Sequence, residues 1–187
     1  MIHISKNKCV GCGLCVAKCP VGAISINEHG FSVIDKNKCI NCGLCLETCP
    51  QNAIKDIKEK LIFAVGTDDE KTIKAKDHFG MSKYYLIYEY SNGELTFKEK
   101  RENTKYQEDE TRIHGDPEKA KRVTSALNGV GVIVGKLFGP NITRLKNKFV
   151  AVVIREPNIE NALESIKDGI NEIVEEKNKK EGSVIIL

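Results

Sequence analysis

Apolar positions follow two regimes along this chain. Up to about residue 58 they form clusters of two or three, broken by cysteines and polar residues. Ile2 and Ile4 alternate as in a strand. Ile24 and Ile26, then Phe31, Val33 and Ile34, flank Asn27-Glu28-His29-Gly30 and predict a hairpin. Ile54 and Ile57 close this set. Beyond residue 60 the runs lengthen. Leu61-Ile62-Phe63-Ala64-Val65 is a continuous apolar run, the mark of a buried strand. Tyr84 to Tyr90 predicts a second strand, Asn92-Gly93 a tight hairpin, and Glu94 to Lys100 the returning strand. Residues 101–116 are polar without a period and predict a long loop. Asp116-Pro117 predicts a helix start, with Asp as N-cap and Pro at the first position. Ala120, Val123 and Leu127 share one face of that helix, and Gly129 ends it. Val130 to Val134 and Phe149 to Ile154 read as strands. Between them Gly139-Pro140 opens a short helix carrying Ile142 and Leu145. Helical spacing of Ile159, Ala162, Leu163, Ile166, Ile170, Ile173 and Val174 predicts one helix from about Asn158 to Lys177. Ser183 to Leu187 predicts a short strand, paired within the sheet or with another subunit. Three strands followed by alternating helices and strands predict a mixed sheet with helices packed on it.

The 187 residues suffice for one large or two small domains. Composition changes near Lys58-Glu59-Lys60, where cysteine disappears and strand-like runs begin. The boundary is therefore expected there, with domains 1–59 and 60–187. No Gly/Ser linker separates them, so the joint is short.

All eight cysteines lie in the first part, in two copies of one pattern. Cys9, Cys12, Cys15 and Cys19 precede Pro20; Cys39, Cys42, Cys45 and Cys49 precede Pro50. Each copy is C-x2-C-x2-C-x3-C-P, the bacterial-type signature for two 4Fe–4S clusters. Four thiolates must converge on the four irons of a cubane, and cysteines separated by two residues wrap a loop around one cluster. The fourth cysteine of each run ligates the other cluster in two-cluster ferredoxins. The expected sets are Cys9, Cys12, Cys15 and Cys49 for one cluster, and Cys39, Cys42, Cys45 and Cys19 for the other. Pro20 and Pro50 are expected to stop short helical turns carrying Cys19 and Cys49. Disulfides do not require two identical runs, and the opening MIHISKNK has no apolar leader run. Zinc favours separated cysteine or histidine pairs over three cysteines in a seven-residue loop.

The repeat extends beyond the cysteines: Lys8-CVGCGLCVAKCPVGAI-24 aligns without a gap on Lys38-CINCGLCLETCPQNAI-54. A duplicated unit of this kind does not bury its core alone. Residues 1–58 resemble the bacterial-type two-cluster ferredoxin family at every motif position. The resemblance implies a ferredoxin-like α+β fold and an electron path between neighbouring clusters.

Charge narrows the classes of partner. Residues 1–60 carry eight Lys against five Asp and Glu, while the rest carries 21 basic and 21 acidic side chains. Clusters and thiolates add negative charge, which brings a loaded first domain near neutrality. That favours a dedicated partner over free diffusion to basic docking sites. No basic patch interleaved with aromatics points to nucleic acid. No apolar run approaches the length of a membrane span.

The second half supports another resemblance. Phe63-AVGTDDEKTIKAKDHFG-80, then YYLIYEY with its hairpin, then GVGVIVGKLFGPNITRL, resembles the dinitrogenase iron–molybdenum cofactor-binding family over about residues 61–175. It implies an α/β ribonuclease H-like domain with a mixed sheet flanked by helices. Asp77-His78-Phe79-Gly80 and Phe138-Gly139-Pro140-Asn141 carry the resemblance. In that family the histidine of the His-Phe-Gly motif is a candidate contact for an iron–sulfur-type metallocluster, here His78. Imidazole suits iron as a borderline ligand. The alternative is a structural turn in which His78 bonds backbone and Phe79 packs in the core. His114, in Ile113-His114-Gly115-Asp116, is a second candidate, and Gly135 with Gly139 a possible anion cradle at the following helix. His3 and His29 read as surface residues. The domain has no cysteine, which fits transient carriage of a preformed cluster.

No Walker loop, Gly-x-Ser-x-Gly, Gly-x-Gly-x-x-Gly or zinc-protease motif is present. Asp68, Asp69 and Asp77 do not by spacing make a two-metal site. The chain is thus expected to be a non-enzymatic iron–sulfur protein of a reducing cytoplasm, compatible with an anaerobe, passing electrons to a partner protein or cluster. The competing reading is metallocluster maturation: the second domain holds an additional, transient metallocluster for an assembly or acceptor protein, and the first supplies electrons. A homo-oligomer is compatible with either.

Overall fold

Three-residue strands and five-residue helices are all that the short apolar clusters of the first half can sustain. In this computed structural model, residues 1–73, 78–103, 117–179 and 183–187 are described, with only the helical backbone at 117–119. Asp77, His114, Gly115 and Asp116 lie outside the described residues, as does most of the loop expected over 101–116. The described chain divides into two units: Met1–Glu59 with Asp168–Asn171, and Lys60–Lys167 with Glu172–Leu187.

The first unit runs β1 (Ile2–Ile4), α1 (Leu14–Lys18), β2 (Ile24–Ile26), β3 (Ser32–Ile34), α2 (Leu44–Thr48) and β4 (Ile54–Asp56). β1 pairs antiparallel with β4, Ile4 opposite Ile54; β2 pairs with β3, Ile24 opposite Ile34. The two ribbons and two helices repeat the sequence duplication. Their shared core is Ile2, Cys15, Ile24, Cys45 and Ile54, flanked by Ile4, Ile34, Cys19, Cys39 and Cys49. Sulfur therefore supplies much of the interior. The helices differ from expectation at their ends. α1 and α2 contain Cys15 and Cys45, whereas Cys19 and Cys49 are C-caps in extended conformation, with ψ 114° and 108°. A residue that precedes proline is driven from the helical region by the proline ring, so each helix ends one residue before its last cysteine.

The second unit runs β5 (Leu61–Thr67), a 3-10 turn (Phe79–Met81), β6 (Tyr84–Ser91), β7 (Glu94–Glu102), α3 (Pro117–Ala126), β8 (Val132–Gly135), α4 (Ile142–Leu145), β9 (Val150–Val153), α5 (Ile159–Asp168), α6 (Ile170–Lys177) and β10 (Val184–Ile186). The sheet is mixed, in the order β10-β9-β8-β5-β6-β7. β5, β8, β9 and β10 are parallel; β5, β6 and β7 form the antiparallel side. The final strand thus pairs within the sheet, against β9.

Alternation sends successive strand residues to opposite faces. Ala64, Tyr85, Ile87, Ile133 and Ala151 pack with Val123 of α3, with Leu127 just past its end, and with Leu145 and Phe149. Phe63, Val65, Val132, Val134 and Val152 occupy the alternate positions and are fully buried. α5 and α6 bury a row of Ile159, Ala162, Ile166, Ile170 and Ile173. The expected single helix is broken at Gly169, the weakest helix former short of proline. Arg101 on β7 donates to the carbonyls of Ala126 and Asn128 at 3.1 and 2.8 Å, satisfying the end of α3.

Candidate metal centres

The cysteines gather around two small cavities. Cys9, Cys12, Cys15 and Cys49 line the first, with Ser32 and Ala53. Cys39, Cys42, Cys45 and Cys19 line the second, with Ile2 and Ala23. α1 brings this about by carrying Cys15 at its start and Cys19 just past its end, so one helix serves both cavities. α2 does the same with Cys45 and Cys49. Gly11 turns the first loop at φ 66°, and a methyl group there would collide with the Gly30 carbonyl oxygen.

Hydrogen bonds reach the sulfurs. Ser32 N–H donates to Cys9 Sγ at 3.4 Å, and Ala23 N–H to Cys19 Sγ at 3.2 Å. The Cys15 thiol lies 3.3 Å from Ser32 Oγ. Burial pushes the Cys9 thiol up, but bonds from the Ser32 and Gly11 backbones and the Ser32 hydroxyl bring it below an ordinary thiol. Cys19 is also lowered: backbone groups of Val21, Ala23, Ile24 and Gly22 outweigh its burial. Cys45 is raised, first by burial and then by the neighbouring Cys39, Cys42 and Cys15. Metal binding must expel that proton. Among the described residues no three His, Cys, Asp or Glu side chains are placed to hold a single metal ion. Val10 and Ile40, 64% and 61% exposed, stand at equivalent points on the two rims.

In the second unit the loops after β5 and β8 meet. Phe79 N–H donates to the Leu137 carbonyl at 2.8 Å. The Phe79 ring is buried, 4.9 Å from Tyr85 and 5.5 Å from Phe138. His78 is exposed, in extended conformation at the start of the 3-10 turn. Its ring lies on Gly139, where a methyl group would come within 2.7 Å of His78 Cδ2. The two motif stretches are therefore neighbours at the carboxyl ends of parallel strands. Gly135 is packed beneath Phe79 rather than open to a ligand, with Phe79 Cβ 3.3 Å from where its own Cβ would stand. Asp69 is occupied with the turn after β5: it accepts from the backbones of Lys71 and Thr72 at 3.0 and 2.7 Å. Those bonds hold its carboxyl at about 2. Asp68 accepts from Lys83 N–H at 2.9 Å. Sequence reading missed Ser32, which has no motif around it, and the role of Gly139 as the floor under an imidazole.

Residues 8–53 match the family described as the 4Fe-4S dicluster domain, and residues 59–169 match the family described as dinitrogenase iron-molybdenum cofactor. This chain belongs to the dinitrogenase iron-molybdenum cofactor family. The family domain follows a 4Fe–4S dicluster domain on the same chain. A curated relative, a probable ferredoxin of Methanosarcina thermophila, is 45% identical over 32 residues, which are 17% of this chain. The match takes in 55% of that relative's length. Two solved structures of one Methanocaldococcus jannaschii protein, provisionally described as a dinitrogenase, resemble the chain. The crystal structure has 18% identity and a TM-score of 0.41, covering 59% of this chain and 91% of that one. The NMR structure has 17% identity and a TM-score of 0.41, covering 59% and 90%. Among the described residues no helix is long and apolar enough to cross a membrane.

Proposed function

We propose that the first unit carries two 4Fe–4S clusters and passes electrons to a redox partner protein. Cys9, Cys12, Cys15 and Cys49 would hold one cluster, and Cys39, Cys42, Cys45 and Cys19 the other. The observation that carries this reading is the sorting of eight cysteines into two cavities of four, each taking three from one run and one from the other. The donor set is thiol throughout, which suits iron–sulfur ligation. When bound, each cluster takes up and releases one electron. The protein's part is to orient the thiolates, with Cys9 and Cys19 predisposed to lose their protons, and to edge each cavity with apolar Val10 or Ile40. The paired repeat supports a ferredoxin-like fold for residues 1–59. The mixed sheet supports a ribonuclease H-like fold for residues 60–187.

Anaerobic iron and sulfide quantification with EPR tests the reading. About eight iron are expected, in two interacting cubanes. Cys9→Ala and Cys49→Ala should lose the same cluster signal, and Cys19→Ala the other. Loss of one signal by Cys9→Ala and Cys19→Ala together would overturn the assignment.

One observation favours a second role. The exposed His78 ring lies on Gly139 at the strand ends, open to a bound group. In this reading the second unit receives a preformed metallocluster through His78 and hands it to an acceptor protein, with electrons from the first unit. Iron beyond about eight per chain, lost in His78→Ala, would support it. An unchanged iron count and spectrum in His78→Ala would sink it.

A further inference from the structure

The two cavities are copies, and the copies differ where it matters to an electron. Shifting a position by the repeat carries Ile4, Cys9, Val10, Leu14 and Ala53 of the first onto Ile34, Cys39, Ile40, Leu44 and Ala23 of the second. Ser32 maps onto Ile2, and Gln51 onto Val21. Outside the lining, Gly11 maps onto Asn41.

These differences set the polarity around the sulfurs. Ser32 is buried and offers two polar hydrogens: its N–H, 3.4 Å from Cys9 Sγ, and its hydroxyl, 3.3 Å from Cys15 Sγ. A ligating Cys15 is a thiolate, so the hydroxyl then donates to it. In the second cavity Ile2 has no hydroxyl, and its N–H points instead to Asn41 Oδ1 at 3.4 Å. That oxygen lies 4.0 Å from Cys39 Sγ, which places an acceptor beside a sulfur that becomes negative. The second cavity has donors of its own on Cys19, Ala23 N–H at 3.2 Å with the backbones of Val21, Gly22 and Ile24, but no side-chain hydroxyl. Gly11 cannot be replaced by a residue like Asn41, because the Gly30 carbonyl occupies the space of its Cβ.

A hydrogen bond to a ligand sulfur stabilises the more negative, reduced cluster and raises its potential. We propose that Ser32 makes the cluster held by Cys9, Cys12, Cys15 and Cys49 the more easily reduced of the two. One electron from a low-potential donor then rests there, and the second cluster fills later. Surface charge opposes this ordering. Lys18 precedes Cys19 where Thr48 precedes Cys49, and Glu47 stands where the first copy has Ala17. Lys18 and Glu47 are exposed, so water and salt screen them, while Ser32 acts at contact in a dry interior.

The inference rests on the two-cluster reading above. An EPR-monitored titration of the full chain with dithionite tests it. Two one-electron steps are expected, separated so that the half-reduced protein favours one cluster about tenfold, or about 59 mV. Cys42→Ala, which dismantles the second site, should keep the upper step. Ser32→Ala should lower the upper step and leave the lower one in place. The separation therefore narrows. Ser32→Thr keeps a hydroxyl and should keep the separation. If Ser32→Ala fails to load, Ile2→Ser gives an independent reading by raising the lower step. Iron well below about eight per wild-type chain would overturn the two-cluster reading and this inference with it. About eight iron with potentials indifferent to both Ser32→Ala and Ile2→Ser would overturn the inference alone. So would a Ser32→Ala shift confined to the lower step.

Discussion

The two units of this chain reach a folded state by different means. The second holds a six-stranded sheet with strands of up to nine residues and fully buried apolar positions on both faces. The first has strands of three residues, helices of five, and a core in which cysteines stand among a few isoleucines. A unit this small rarely gains enough from apolar burial alone. Its sulfurs surround two cavities, so the clusters proposed for them would complete the interior. The second unit fills its own interior. The contrast separates a fold that frames a cofactor from one that is already whole.

Removing iron is expected to set the two units apart most sharply. Chelation under reducing conditions is expected to unfold the first unit and leave the second with a cooperative transition, as limited proteolysis with mass spectrometry would show. Joint loss of both units would show that the second is not self-sufficient. The next largest effect is within the second core. Phe79→Ala removes a ring packed on Tyr85 and Phe138 and should cost about 3–5 kcal/mol in urea denaturation, with the iron content unchanged. Smaller is the loss from Asp69→Asn, about 1 kcal/mol, since the amide keeps an acceptor for the turn after β5 but loses the charge that strengthens its hydrogen bonds. The sign with pH follows from its lowered carboxyl. The Asp69 contribution is complete above about pH 4, near the ordinary carboxylate value. It fades as pH falls towards its folded value of about 2. The variant should therefore differ from wild type at neutral pH and converge with it in acid. The smallest effect is expected at Tyr85, whose buried hydroxyl has no hydrogen-bond partner among the described residues. Burial alone drives its ionisation far above that of an exposed phenol. Tyr85→Phe should leave the melting temperature unchanged or raise it, because it removes a buried hydroxyl that no described residue partners, and little volume.

How far the sequence could be read follows the same division. The cysteine runs disclosed their chemistry, because ligand spacing is a local property. The strands Leu61–Thr67 and Tyr84–Ser91 were legible because long apolar runs leave few alternatives. The break at Gly169 was not, since Ile166, Ile170 and Ile173 keep helical spacing across it. The ends of α1 and α2 fall one residue earlier than the Cys-Pro pairs suggest, because a proline acts on the residue before itself. Asp77-His78-Phe79-Gly80 and Phe138-Gly139-Pro140-Asn141 were visible only as separate motifs. His78 and Gly139 meet through a fold that no spacing rule encodes. Ser32 left no signal in its own stretch. It becomes legible when its place in the repeat is compared with that of Ile2, so that the informative feature is a mismatch between copies.

One consequence follows from the way α1 divides its cysteines, Cys15 at the start to one cavity and Cys19 past the end to the other. Each helix is a rigid strut with an anchor point at both ends. Fixing either anchor removes much of the wandering freedom of the other, and α2 repeats the arrangement in reverse. If both sites take up clusters as proposed, the two fillings are coupled: the first would bear most of the ordering entropy, and the second would meet ligands already held in position.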